Sequence, residues 1–278
     1  VNVTDAFRII AHRGASAHAP ENTLPAFRRA VETGAHEIEL DVRFSADEEI
    51  IVFHDDALDA KTNRHGRVRH YDADVLKRTD IGTWFDRTHP ESSERFSGTY
   101  IVGLERVFAE LGNRVHYHVE LKGFEDWLPL RVLQCIDAYG LREFVTVTSF
   151  SMRPLLKMRT LCAKLPICFL LRDAHDALRS AEFRPELIGA DSERVQEYWI
   201  DRAADAGFTQ VGVRAADVQP RTFARAADRG IEVRGWGVDD EDDLRRLLAL
   251  GAVGATVDWP QRARDVVETA RLPPREAP

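Results

Sequence analysis

The sequence predicts an α/β fold, a (β/α)8 TIM barrel with a small insertion after the second strand. Three observations predict it. Eight short β-branched runs alternate with segments of helical period, five of those segments stop at a glycine, and 278 residues are close to the roughly 250 that such a barrel uses. Length alone also allows two domains of about 150 residues. An open, doubly wound parallel sheet is the alternative arrangement of the same βα units.

The strand-like runs are Arg8–His12, Glu37–Val42, Val115–Leu121, Phe144–Thr148, Ile167–Leu171, Gln210–Val213, Glu232–Trp236 and Gly254–Val257. Helical periods fit between them at Glu21–Thr33, Leu104–Leu111, Leu128–Tyr139, Met152–Leu161, Glu193–Ala206, Pro220–Asp228 and Glu241–Leu250. Gly34, Gly140, Gly207, Gly230 and Gly251 stand where a helix C-terminus favours a left-handed residue. The rhythm breaks over about 44–102, far longer than the usual βα loop of about 2–6 residues. This stretch holds an extra strand-like run, Glu49–Phe53, and a polar run, Asp86–Gly98. It reads as an insertion on the barrel rim within one domain spanning 1–278, a mere lid or disordered loop being the plainer alternative. Arg172–Arg194 is also irregular.

A chain that is 44% hydrophobic and 30% charged is neither disordered, collagenous nor a coiled coil. The formal charge of −8 disfavours nucleic acid or an anionic membrane as partner. Cys135, Cys162 and Cys168 lack the spacing of a zinc site or a disulfide framework, and read as buried free thiols. No apolar run approaches the roughly 20 residues of a transmembrane segment. His12 is reached without a signal-type apolar region, which favours the cytoplasm. The chain begins with Val, so a removed leader and a periplasmic or secreted location stay open. Nothing in the sequence sets the oligomeric state.

In the second strand, Ile38, Leu40 and Val42 face one way and Glu37, Glu39 and Asp41 the other. Helices cover the outside of a barrel, so the acidic face looks into the lumen. Ionised carboxylates there repel one another and lose hydration unless a cation or a shared proton relieves them. The third strand repeats the alternation with His116, His118, Glu120 and Lys122 inward. Glu39, Asp41 and Glu120 are hard oxygen ligands suited to a divalent cation, Mg²⁺ or Ca²⁺; a salt-bridge network with Arg43 and Lys122 is the alternative. Arg13 can grip a phosphate through two hydrogen bonds, and Gly14 lets backbone approach closely. His12 and His54 close strands beside the carboxylates and suit general acid and base work. His118 reads as lumen packing or support; His36, His65, His70, His89, His116 and His175 read as structural.

Taken in order, Ala11-His12-Arg13-Gly14, Pro20-Glu21-Asn22-Thr23, Glu39-Leu40-Asp41-Val42, His54-Asp55, Glu120-Leu121-Lys122, Ser149-Phe150, Trp236 and Asp258-Trp259-Pro260 resemble the glycerophosphodiester phosphodiesterase family. The resemblance implies a TIM barrel and metal-dependent hydrolysis of a small glycerophosphodiester to glycerol 3-phosphate and an alcohol. It implies that Glu39, Asp41 and Glu120 hold the metal and that His12 and His54 are the acid/base pair. Arg13 would contact phosphate, Lys122 would support charge near it, and Phe150 and Trp236 would wall the glycerol side. Glu21 would orient His12 or Arg13, Asn22 would also cap the following helix, and Asp55 belongs to the His54 motif.

Three segments depart from the family pattern. Its Asp-Gly is Asp47-Glu48 here, its Ile-Pro-Thr-Leu is Ile101-Val102-Gly103-Leu104, and its Trp-Thr-Val-Asn is Trp236-Gly237-Val238-Asp239. An acidic Asp239 near the mouth would favour choline or ethanolamine esters over an anionic leaving group. Two other functions fit the same residues less fully: a lysophospholipase D-type lipid phosphodiesterase, for which Trp84, Phe85, Phe96 and Tyr100 offer aromatics, and a noncatalytic ligand-binding barrel.

Overall fold

The computed structural model describes residues 7–123, 125–172, 187 and 189–271. In chain order the elements are β1 (Arg8–Ala11), α1 (Leu24–Glu32), β2 (Glu37–Phe44), β3 (Ile50–Val52), α2 (Ala73–Leu76), α3 (Gly82–Thr88), β4 (Val102–Gly103), α4 (Leu104–Leu111) and β5 (His116–Leu121). They continue with α5 (Leu128–Ala138), β6 (Val145–Ser149), α6 (Met152–Leu161), β7 (Ile167–Leu170), α7 (Ser192–Asp205) and β8 (Gln210–Arg214). The last are α8 (Pro220–Asp228), β9 (Glu232–Trp236), α9 (Glu241–Ala249), β10 (Gly254–Val257) and α10 (Pro260–Arg271). His175 and most of the irregular 172–194 stretch lie outside the described residues.

The strands pair in the order β1-β10-β9-β8-β7-β6-β5-β2, and β1 also pairs with β2. An open sheet would leave two free edges; this ring of parallel strands leaves none, so the doubly wound alternative is excluded and the fold is a (β/α)8 barrel. Ile38, Leu40, Val42, Tyr117, Val119 and Leu121 are buried between the strands and the surrounding helices. The register sets Glu39 beside His118 and Asp41 beside Glu120, which brings the acidic residues of β2 and β5 onto one inward face.

The 44–102 stretch is ordered by its own polar groups. β3 pairs antiparallel with β2 and with β4. The Asp86 carboxylate accepts from the Phe96 and Ser97 backbone N–H groups and from Ser97 Oγ, while Asp80 accepts from the N–H groups of Thr83 and Gly98. Phe85 and Phe96 pack on Ala19 and Ala26, under the first βα loop. Glu48, at the position where the family pattern has glycine, takes a left-handed conformation with φ 61, so the turn is kept by a residue that pays strain for it. Gly103 serves as the α4 cap without a side-chain hydrogen bond.

Three expectations need correction. The first helix starts at Leu24, not Glu21: Thr23 is its cap, its side chain accepting from the Ala26 N–H, and Asn22 has φ 58 and bonds Asp41 instead of capping. The helix α10 was not anticipated, although Pro260 suits a first turn and Ala263, Val266 and Val267 bury one helical face. Cys162 is only half-buried, whereas Cys135 and Cys168 are buried; all three are free. The five glycines expected after helices all have positive φ. Among the described residues, no helix is long and apolar enough to cross a membrane.

Gly14 has φ 85, and a Cβ there would lie 2.6 Å from the Ala26 carbonyl carbon. Gly66 has φ 90 but open space around it. Both Gly→Ala substitutions should therefore destabilise through φ, by about 1 kcal/mol, and Gly14→Ala should cost distinctly more. Equal urea midpoints for the two variants would contradict the contact with Ala26.

Candidate active site

At the C-terminal end of the barrel strands, ligand-capable oxygens of Glu39, Asp41 and Glu120 lie within 4.8 Å of one another, and all three residues are buried. Asp41 Oδ2 accepts from Asn22 Nδ2 at 2.8 Å and lies 3.1 Å from Arg13 Nε. The Lys122 ammonium sits 2.6 Å from Glu120 Oε1 and 3.3 Å from Asp41 Oδ1. Glu39 Oε2 accepts the Arg13 backbone N–H at 3.1 Å. Among the described residues, Glu39 Oε1 is buried without a donor, and Asp41 Oδ1 has the Lys122 charge nearby but no aligned hydrogen bond. Buried carboxylate oxygens left without donors are what an oxygen-liganded divalent cation would satisfy, so this donor set fits one.

The two β2 carboxylates are driven apart. Burial disfavours charge on both, but Lys122, Arg13, His54 and the Asn22 hydrogen bond hold Asp41 well below the usual carboxylate range. Glu39, buried beside the Asp41 charge, is pushed up. Arg43 does not join this cluster. It stands past the rim, where its Nε donates to the His54 carbonyl at 2.9 Å and Nη1 is 3.7 Å from Asp56.

His12 and His54 each have a carboxylate at Nδ1, which leaves Nε2 as the ring nitrogen open to proton exchange; His12 Nε2 is 4.0 Å from Glu39 Oε2. His12 Nδ1 is 2.6 Å from Asp258 Oδ1, a carboxylate that also accepts from Ser16 Oγ. Burial works against the His12 cation, yet the hydrogen bond to Asp258 and the Glu39 charge leave its pKa raised. His54 Nδ1 is 2.6 Å from Asp55 Oδ1. That bond, with Lys61, holds Asp55 at about 2. Lys61 lies 3.1 Å from Asp55 and 2.9 Å from Glu21, and Glu21 accepts from Arg13 Nη1 at 3.0 Å. A continuous polar chain thus runs from His54 to Asp41.

Both histidines border a cavity of about 400 Å³, with Arg13, Glu39, Glu120 and Lys122 on its wall. Phe150 and Trp236 line the same cavity, their rings edge to face with centroids 4.9 Å apart. The Lys122 ammonium is 5.4 Å and the Arg172 guanidinium 4.9 Å from the Phe150 ring centre. A second cavity of about 330 Å³ shares His12 and Arg13 with the first and is bordered by Glu21, Asp239, Asp258, Trp259 and His89. His118 lies deeper, its Nε2 2.7 Å from Glu37 Oε2; burial lowers its pKa to about 4 despite that partner.

Sequence reasoning named Asp258 within a family motif but gave it no role, and it passed over Lys61, Arg172 and Arg234. Asp258 was within reach, because the alternation Gly254, Thr256, Asp258 puts it on the inward face of the last strand. Lys61 sits in a stretch with no period to follow.

A sequence profile of the Glycerophosphoryl diester phosphodiesterase family matches residues 12–262. The chain is 28% identical over 266 residues to a glycerophosphodiester phosphodiesterase of Bacillus subtilis (strain 168), covering 92% of this chain and 85% of that one. Its fold is similar to the crystal structure of a glycerophosphodiester phosphodiesterase from Agrobacterium tumefaciens str. C58, with TM-score 0.71, 25% identity and coverage of 93% and 99% of the two chains. It is also similar to an Oleispira antarctica phosphodiesterase solved in complex with the product sn-glycerol-3-phosphate, with TM-score 0.78, 21% identity and coverage of 94% and 96%.

The raised Glu39 carboxyl makes stability depend on pH. Its folded pKa lies above the unfolded value, so stability present at acid pH is lost as pH climbs out of the ordinary carboxylate range. In chelator, Glu39→Gln should gain in Tm over the unsubstituted protein as pH rises from 5 through neutrality, on the order of several degrees. A Tm difference that stays constant with pH would contradict this.

Proposed function

The chain belongs to the glycerophosphoryl diester phosphodiesterase family and is a phosphoric diester hydrolase; from that premise we propose that it hydrolyses small glycerophosphodiesters, such as glycerophosphocholine or glycerophosphoethanolamine, to glycerol 3-phosphate and an alcohol. The observation that carries this reading is one cavity bordered by two carboxylate-held histidines and by Glu39 and Glu120 of the three-carboxylate cluster. The barrel acts as a single domain over 1–278, with about 44–102 as its rim insertion.

Glu39, Asp41 and Glu120 would hold a divalent cation, Mg²⁺ or Ca²⁺. When bound, such a cation supplies positive charge to the phosphodiester oxygens as they become more negative. Arg13 and Lys122 add to that charge from fixed positions. Arg13 is pinned by Asp41 and Glu21, so its orientation costs little at the moment of reaction. Of the two histidines, one gives a proton to the leaving alkoxide and the other takes one from the nucleophile. The Asp258 hydrogen bond, which favours the His12 cation, suits His12 to give and His54 to take. Asp55 keeps His54 oriented with Nε2 free. Phe150 and Trp236 wall the glyceryl arm.

The side cavity suits the leaving alcohol, because it borders His12 and carries the Asp239, Glu21 and Asp258 carboxylates. Those charges favour an ammonium-bearing alcohol. Of the aromatics that would serve the lipid alternative, Phe85 and Phe96 are buried in the rim stretch and Trp84 packs against them, which leaves Tyr100 as the one exposed ring of the four.

His12→Ala and His54→Ala should each lower turnover by about 10²–10⁴-fold without loss of fold by circular dichroism. The assay is coupled release of glycerol 3-phosphate; substantial activity in either variant removes that histidine from proton transfer, and activity surviving exhaustive chelation removes the cation. Asp258→Asn should move the alkaline limb of the pH–rate profile to lower pH, since the proton donor then loses its proton sooner. Glycerophosphocholine should be turned over faster than glycerophosphoinositol, and equal rates would count against the role given to Asp239.

A further inference from the structure

The inner end of the cavity differs from its mouth. Arg234, on β9, is 1% exposed yet lines the cavity. Its Nε donates to Cys168 Sγ at 3.4 Å and its Nη1 donates to Thr256 Oγ1; among the described residues neither partner is a carboxylate. Trp236 lines the same cavity, and its buried Nε1 has no hydrogen-bond partner among the described residues. Gly212 lets Leu170 and Trp236 pack close beside them: a Cβ there would lie 2.5 Å from Leu170 Cδ2 and 3.4 Å from Trp236 Cδ1.

A guanidinium donates and never accepts, and it keeps its charge at any working pH. The indole N–H also only donates. Thr256 Oγ1 accepts from Arg234, so its own hydrogen is available to a further acceptor. The inner end therefore offers donors around a buried cation whose direct partners are uncharged, an arrangement that is costly unless something supplies acceptors. A trimethylammonium or alkyl group supplies none; adjacent hydroxyls do.

We propose that Arg234, the Trp236 indole N–H and the Thr256 hydroxyl form a donor-rich subsite that receives the hydroxyls of the glyceryl arm, making Arg234 the residue that fixes which arm of the diester is retained. The subsite rests on the phosphodiesterase reading above and extends it to direction. The glyceryl arm enters the donor end, and the alcohol arm turns towards the acidic side cavity beyond His12 and Arg13.

The test is calorimetric binding of sn-glycerol 3-phosphate and of n-propyl phosphate, which lacks both hydroxyls, in the presence of Mg²⁺ or Ca²⁺. The unsubstituted protein should bind glycerol 3-phosphate tighter by about 10- to 100-fold, the worth of hydrogen bonds to a charged donor. Arg234→Met should lose most of that preference by weakening glycerol 3-phosphate alone, and its Tm should hold or rise, because a buried cation is removed. In turnover the loss should appear in KM for glycerophosphocholine. Thr256→Val keeps the charge, should lose part of the preference, and carries the test should Arg234→Met fail to fold. Equal weakening of both ligands would assign Arg234 to the phosphate and overturn the subsite, as would an unchanged preference or no preference in the unsubstituted protein. If the hydroxyl preference is present and Arg234-dependent but no glycerophosphodiester is hydrolysed, the subsite stands and the reading of the reaction falls.

Discussion

Three carboxylates crowded into a barrel lumen are the constraint to which the surrounding structure responds. Left to themselves, Glu39, Asp41 and Glu120 would repel one another in a place where water cannot screen them. The chain answers with Arg13, Lys122 and Asn22 on two of the three, and among the described residues leaves Glu39 with a single backbone donor and one bare oxygen. The arrangement is unbalanced on purpose only if a cation completes it, and the same imbalance explains why the two β2 acids, two residues apart, have opposite tendencies to ionise.

Much of this was legible in the sequence because strand alternation is strict. Once β2 and β5 are recognised as barrel strands, the inward placement of Glu39, Asp41 and Glu120 follows without knowledge of any contact, and parallel register does the rest. Helix limits were less legible. The loop ending in Glu21 and Asn22 carries helix-friendly residues, but Asn22 is drawn into a left-handed conformation and its amide satisfies Asp41, so the helix waits for Thr23. A tertiary hydrogen bond there overrides a local capping preference. Arg43 fails as a partner for the carboxylates for a different reason: alternation gives the face of a strand but not the height at which the barrel ends.

The least legible parts are those held by groups far apart in sequence. Lys61 meets Glu21 and Asp55 across a fold that no period announces, and Asp258 reaches His12 only because β10 closes against β1. The polar run in the rim stretch looked like a candidate for disorder on composition. Asp80 and Asp86 give it order by gathering backbone N–H groups that water would otherwise take.

The antiparallel pairing of β3 with β2 ties the two halves of the site to a single strand. Val42 faces Val52 in that pairing, and the Arg43 side chain holds the His54 carbonyl, so His54 is spaced from Glu39 and Asp41 by a hairpin of fixed length. The residues after His54 leave the barrel ladder until β4 rejoins β3 and are held instead by local contacts, such as the Ala57–Arg67 bridge and the Lys61–Asp55 ion pair. A ruler followed by locally held chain lets loop length vary without changing the distance between His54 and the carboxylates. Insertions and deletions in relatives should accordingly accumulate on the far side of His54 and spare the hairpin.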